Sequence, residues 1–516
     1  MKRITSPRSA LLQAAALSAL LLLAACADES ADNDGAGGTD GGGTTGGATV
    51  GDATGAADTS AGTSQPDILP PARELDPQID AEATSFFFSY DDSASTASRD
   101  LSFAALDEGR RPDASLGRPF EYLNAESFTR FDSRAVGPFA VSMTLRAAQP
   151  GDIPLGAAVE QKLYALGVNI AGPQLSLAER PNIVLTLLVD VSGSMDSPYA
   201  QETRNDVTSL LDVVQYGLQR IGPSLKSGDT INLVTFSNEA RIVVEGLDAI
   251  AGDLSTLVTG LQTEGSTNIG AGVDLAYEVA NRTYDSSKAN RVLMLTDARV
   301  NTGELDPNRI AEPTTIGGLE GIFFSGIGIG SGFDDTVLNT VTEAGKGSYS
   351  AMITPNDAER LFTTDFIRFL SPAARDIRFQ LTYPQSLDQL RSFGEEISES
   401  PEEVRTVNFA FNSEQFFVEL FTGPDALDGN EEITLDITFT DADGEARSES
   451  ITRTLAELSN VLTDQVDAAL AVTTLAELVN GNLNCGDVLA SRLYQEPLAS
   501  PVYALYRQYI TRFCDL

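Results

Sequence analysis

The chain has 516 residues and a formal net charge of −40, with three cysteines and neither histidine nor tryptophan. The missing histidine excludes a Ser-His-Asp triad, a histidine general base, a zinc-protease HExxH helix and a Cys₂His₂ zinc site. The acidic balance excludes nucleic acid as a partner, because phosphate binding needs clustered Lys and Arg to release counterions. Hydrophobic residues make up 42% of the chain, enough for a sizeable core, and the length suits roughly three domains. Only Lys2, Lys162, Lys226, Lys288 and Lys346 are lysines. An acidic, lysine-poor surface stays soluble in salt, where self-repulsion is screened, and is compatible with a saline habitat.

In chain order, Lys2, Arg3 and Arg8 precede an apolar stretch from Ala10 to Ala25. It is too short to be read first as a membrane span and reads as a secretory signal over residues 1–25. The end of this stretch, Leu23-Ala24-Ala25-Cys26, resembles a bacterial lipobox. That resemblance implies cleavage before Cys26 and lipidation of its thiol, hence a lipid bilayer as partner and a place in the bacterial cell envelope, periplasmic or surface-exposed. By resemblance to enterobacterial lipoprotein sorting, Ala27 rather than aspartate favours the outer membrane. Cleavage removes three positive charges and leaves −43. Residues 26–65 are Gly-, Thr-, Ala- and Asp-rich without aromatic or basic residues, and are expected to form a disordered tether. A Gly-rich coil of this length spans about 35 Å. Cys485 and Cys514 remain, and in an oxidising compartment they are expected to pair, the alternative being two buried free thiols.

Residues 66–180 read as a flanking domain. Its expected strands are 84–90, 138–145 and 162–170, and its helical stretches lie near 97–105 and 120–128. Residues 181–370 alternate strand and helix throughout, which predicts an α/β domain with a mainly parallel sheet wrapped by helices. The run Ile183 to Asp190 is apolar throughout and suits a strand buried on both faces. A helix is expected through Val207, Leu210, Leu211, Val214, Leu218 and Ile221. Strands follow at 230–236, 240–244, 291–296, 322–329 and 347–352, with helices near Leu254, after Gly265-Ser266-Thr267-Asn268-Ile269-Gly270, and over 333–344 and 355–369.

Ligands of such sheets bind beyond the carboxyl ends of the strands. Three loops there carry Asp190, Ser192 and Ser194, then Thr267, then Asp297. A set of hydroxyls and carboxylates without nitrogen or sulfur suits Mg²⁺, Ca²⁺ or Mn²⁺. The five residues, in this order and at these strand ends, resemble the metal-ion-dependent adhesion site of von Willebrand factor type A domains. The resemblance implies a Rossmann-like fold and direct coordination by Ser192 and Ser194. It also implies a shifting role for Thr267, and action through water by Asp190 and Asp297. A protein ligand offering an acidic side chain would then complete the coordination. Ala298 departs from the family, which commonly has glycine there. The flanks resemble more loosely those of bacterial lipoproteins grouped with calcium-activated chloride channels, although no apolar run fit to line a pore is present.

Residues 371–516 read as strands over 377–383, 404–411 and 415–421, then as helix from Leu455, with Leu455, Leu458, Val461 and Leu462 on one face. Asp441-Ala442-Asp443-Gly444 reads as a hairpin turn between 433–440 and 446–452. Gly326, Gly328 and Gly330 read as a strand leading into a turn, and Tyr494, Tyr503, Tyr506 and Tyr509 as core or domain contacts. The two flanks are expected to pack together into a β-rich unit from which the α/β domain projects. The leading expectation is a non-enzymatic lipoprotein that binds a protein through a divalent cation, for adhesion or complex scaffolding. Alternatives are a metal-dependent hydrolase and an accessory subunit of a channel or secretion complex.

Overall fold

Seventeen strands in three sheets organise the described part of the chain. The structure, a computed structural model, describes residues 78–516 apart from 81, 91–94, 130, 157–158, 200–206, 371 and 442–443. The expected signal, Cys26 and the tether lie outside the described residues.

The strands, in chain order, are β1 (Ser85–Phe88), β2 (Arg134–Val136), β3 (Phe139–Ala148), β4 (Lys162–Ala171), β5 (Ile183–Asp190), β6 (Thr230–Phe236), β7 (Ala240–Asp248), β8 (Ala289–Thr296) and β9 (Ile322–Ile329). They continue with β10 (Lys346–Met352), β11 (Pro372–Thr382), β12 (Asp388–Ser392), β13 (Ile397–Ser398), β14 (Val407–Ala410), β15 (Glu414–Gly423), β16 (Glu432–Thr440) and β17 (Ala446–Thr454).

The central sheet has the order β10-β9-β8-β5-β6-β7. It is parallel except for the edge strand β7, which returns antiparallel beside β6. Every residue of β5 and β9 is buried, because helices cover both faces of the sheet and leave no solvated side for polar residues. The buried pair Arg180–Asp229 ties the entry of β5 to the loop before β6, with Asp229 also accepting the Ile183 and Lys226 amides at 3.1 and 2.8 Å.

The other two sheets mix both flanks. In one, β1 lies between β11 and β13, with Phe86 opposite Leu381 and Phe88 opposite Phe379. In the other, β15 runs antiparallel to β4 over the length of both strands. The two sheets share a core that includes Phe88, Phe379, Phe409 and Phe417. The helix Asp464–Val479 covers the other face of the β4–β15 sheet and packs with the helix Pro501–Asp515. Tyr503, Tyr506 and Tyr509 are buried there, and a disulfide joins Cys485 to Cys514.

Four local features differ from the sequence reading. The helix expected from Val207 to Ile221 spans only Leu210–Leu218, because Ser209 and Asp212 form a reciprocal capping box that starts it. The helix expected over 355–369 ends at Phe362, and a separate 3₁₀ turn, Phe366–Phe369, follows. Thr363 leaves the helical backbone, and the break lets Phe366 and Phe369 enter the core that already holds Phe362. The helix at Leu455 stops at Ser459, so Leu458 is buried whereas Leu462 is 75% exposed. The α/β domain does not simply project from the flanks. The flank helix Ala97–Asp107 bridges them, with Ala97 and Leu101 in a core of the central sheet and Phe103 and Leu106 in the flank core.

Candidate metal centre

The chain order of the central sheet creates the crevice. From β5 the chain moves outward to β6 and β7, then crosses back to place β8 on the other side of β5. Loops leaving β5 and β8 therefore diverge at their carboxyl ends, the switch point where α/β sheets open a binding crevice. Asp190 ends β5 and Asp297 directly follows β8.

Asp190 is wholly buried and both its oxygens are engaged. Oδ1 accepts the Ser192 amide at 2.8 Å, and Oδ2 accepts the Thr296 hydroxyl at 2.6 Å. The first bond folds the loop back so that Ser192 and Ser194 share one side, their hydroxyl oxygens 3.0 Å apart. Ser194 Oγ donates to Asp297 Oδ1 at 3.1 Å. Asp190 thus braces the loop, while Ser192, Ser194 and Asp297 present the oxygens. Burial pushes the Asp190 carboxyl up to about 6, against the hydrogen bonds from Thr296 and Ser192, and the nearby Asp297 adds to the rise.

Thr267 belongs to the loop before the helix Ile269–Arg282. Its amide donates to Asn301 Oδ1 at 2.9 Å, and its carbonyl accepts the amides of Asn301 and Thr302 at 3.2 and 3.3 Å. Asn301 lies four residues beyond Asp297, so it fastens the second loop to the third. A further bond, from the Gly193 amide to the Gly265 carbonyl at 3.0 Å, fastens the first loop to the second. A Cβ on Gly193 would meet that same carbonyl at 3.0 Å, so glycine permits the close approach. Asn301 was missed by the sequence reading, since its role depends on a contact across 34 residues.

Two oxygens test whether these residues suit a cation. Thr267 Oγ1 and Asp297 Oδ2 are both buried and find no hydrogen-bond partner among the described residues. Such atoms cost free energy unless something polar meets them. Among the described residues the cation nearest Asp297 is Arg299, whose Nε stands 3.7 Å from Oδ2 and whose side chain is half exposed. It instead donates to the Gly332 carbonyl at 2.9 and 2.7 Å. The unmet oxygens belong to a hydroxyl and a carboxylate, the donor chemistry of a hard divalent cation. Ser194 is only partly buried, so the set opens to solvent on that side. A cleft of about 460 Å³ lies next to it, lined in part by Ser197, Arg299 and Ser331 and by Asp107 and Glu108 of the bridging flank helix.

Ala298 follows Asp297 with φ +53°, in the left-handed region that favours glycine. Its amide is held by the Thr296 hydroxyl at 2.8 Å, so one threonine fixes both Asp190 and this turn.

Comparison with known proteins finds several similar to this chain. The chain is 28% identical over 234 residues to the uncharacterized protein YfbK of Escherichia coli, covering 45% of this chain and 39% of that protein. It is 24% identical over 366 residues to the inter-alpha-trypsin inhibitor heavy chain H3 of Mus musculus, covering 68% of this chain and 37% of the relative. The chain therefore spans less than two fifths of the length of either curated relative. Among solved structures, a von Willebrand factor type A protein from Catenulispora acidiphila is 15% identical with a TM-score of 0.42, covering 74% of this chain and 90% of the other. Residues 185–299, from the third residue of β5 to just past Asp297, match the family model of the von Willebrand factor type A domain, and the chain contains a domain of that type.

Proposed function

We propose that this chain is a non-enzymatic, lipid-anchored protein of the bacterial envelope. In this reading its type A domain holds a divalent cation and through it an acidic side chain of a protein ligand. The observation that carries the cation site is the pair of unmet oxygens, Thr267 Oγ1 and Asp297 Oδ2, buried beside the coupled hydroxyls of Ser192 and Ser194. Ser192, Ser194 and Thr267 would hold the ion directly, while Asp190 and Asp297 position that set and supply negative charge behind it. When bound, Mg²⁺, Ca²⁺ or Mn²⁺ supplies an electrophilic centre that a carboxylate oxygen can complete. Two neutral hydroxyls at the mouth keep the local protein charge low, which favours recruiting a carboxylate from outside. Half-exposed Arg299 adds a nearby positive group to attract it.

The anchor rests on the segment Leu23-Ala24-Ala25-Cys26 and its basic and apolar lead-in. Several acyl chains would hold the acidic body near a membrane to which its own charge gives no affinity. Outer-membrane placement and a role in adhesion or envelope-complex scaffolding belong to the same proposal. The relatives fit a binding role by their domain type, with inter-alpha-trypsin inhibitor heavy chains among them.

The test is a crosslinking capture from envelope fractions with Mg²⁺ or with EDTA, comparing wild type with Thr267→Ala. A ligand captured only with the metal and lost in Thr267→Ala is expected. The same set of captured proteins in all conditions would move the binding face away from this site.

A further inference from the structure

At the opposite end of the central sheet a pocket collects positive charge without an acid among its described lining residues. Arg291, near the start of β8, Lys346 at the start of β10 and Arg368 of the 3₁₀ turn face it, with Ser325, Ser348 and Asn408. The chain as a whole has 74 acidic residues against 34 basic ones, so a lining of three cations and no carboxylate runs against its composition. Arg291 is only 6% exposed. Its Nε donates to the Leu370 carbonyl at 2.6 Å, and its guanidinium lies 4.5 Å from the centre of the Phe323 ring. These contacts fix the plane and leave the two terminal amino groups without a hydrogen-bond partner among the described residues. Arg368 likewise forms no ion pair among the described residues. Lys346 is paired, to Asp376 at 2.9 Å on the exposed side.

A buried cation without a counterion is costly, because the lost hydration is not replaced. Burial pushes the Arg291 guanidinium down to about 9, with Arg375 adding repulsion and Tyr277 opposing it. Arg291 is thus still charged at neutral pH, and no acid lies among the described residues that line its pocket. The pocket offers about 30 Å³ to water centres. That is room for two or three waters at about 10–15 Å³ each, or for the leading oxygens of a small oxyanion. Guanidinium groups match such oxygens in geometry as well as charge.

We propose that this pocket binds a small free oxyanion of the phosphate or sulfate type, held by Arg291 and Arg368 with the Ser348 hydroxyl and the Asn408 amide at its edge. Asn408 belongs to β14 of the flanks, while the other groups belong to the central domain. Asn408 already donates to the Lys346 carbonyl at 3.0 Å across this seam. A bound anion would add a further tie, beside the Asn408–Lys346 and Lys346–Asp376 contacts, at the point where the chain leaves the central domain for β11. Arg291 and Asp297 are six residue steps apart along β8 and its end, roughly 20 Å at strand rise, so this site is separate from the cation site.

Thermal melting of the full chain in EDTA decides the matter, with inorganic phosphate compared against sodium chloride at matched ionic strength. A saturable rise in Tm with phosphate is expected in wild type and in Asp297→Ala. Arg368→Ala, at a half-buried position, should weaken the apparent Kd at least tenfold. Arg291→Gln should abolish the response, and if that variant does not fold, Arg368→Ala still decides. Equal melting in phosphate and chloride, or an unchanged Kd in Arg368→Ala, would overturn the proposal. Loss of the response in Asp297→Ala would assign it to the cation site and overturn it as well.

Discussion

Replacing Thr267 by alanine separates what its hydroxyl costs from what it is for. Without a cation, Thr267 Oγ1 is buried and unpartnered, which costs about 1–3 kcal/mol. Alanine removes that cost but also a buried methyl worth about 0.8 kcal/mol. In EDTA the variant should therefore be as stable as wild type or up to about 2 kcal/mol more stable, although it deletes a side chain that is only 1% exposed. With Mg²⁺ the balance shifts towards the wild type. At a free concentration one hundred times Kd, the wild type gains about 2.7 kcal/mol. For a cooperative unit of 150–250 residues, the size of the central domain, that is a rise of roughly 5–10 °C. The variant, short of one ligand, should bind at least tenfold more weakly and gain correspondingly less. Thermal melting of both proteins, in EDTA and across a Mg²⁺ titration, gives all four numbers. A variant that melts well below wild type in EDTA would show that the hydroxyl has a structural partner. Equal gains with Mg²⁺ would show that it touches no metal. Either result refutes the reasoning.

Three further outcomes follow from particular residues. Ala298→Gly should stabilise the protein by about 1 kcal/mol in urea unfolding, because φ +53° penalises a Cβ and the Thr296 bond to the amide is retained; a loss of stability would mean the methyl's packing outweighs the strain. Reducing the Cys485–Cys514 disulfide, which closes a 29-residue separation, should cost about 3–4 kcal/mol in the C-terminal helices, read as earlier loss of their protection in hydrogen exchange. Glu419 is wholly buried, accepts the Ser392 hydroxyl at 2.9 Å, and is pushed well above the usual carboxylate range by burial. The folded state then keeps a proton that the unfolded state releases above its ordinary carboxylate pKa. Stability must fall as pH rises from that point towards the folded-state value. Glu419→Gln should flatten this decline, giving a larger gain over wild type at pH 8 than at pH 4 in paired urea titrations; a gain independent of pH would show that Glu419 does not titrate on unfolding.

The sequence by itself determined the elements whose signal is local. The unbroken apolar run of β5, the alternation of strand and helix over 181–370, and the position of Asp190, Ser192, Ser194 and Asp297 at strand ends and of Thr267 in a loop opening a helix were legible, because burial on two faces and polar loop chemistry act over a few residues. The departure at Ala298 was visible as well, but its left-handed backbone was not. Element ends were less legible: the capping box at Ser209 overrode an apolar periodicity that continues past the helix on both sides. Tertiary structure alone decided which oxygens of the site are already engaged. The two bonds of Asp190, the clamp of Asn301 on Thr267 and the unmet Thr267 Oγ1 each depend on contacts between distant segments. It also decided that β1 pairs with a strand almost 300 residues later, that a flank helix enters the core of the central sheet, and that Arg291 faces a pocket without acids. The physical reason is the same in each case. Periodicity reports whether a side chain is buried, while hydrogen bonds and charge pairing depend on what it is buried against, and that partner is chosen only when separate segments of the chain meet.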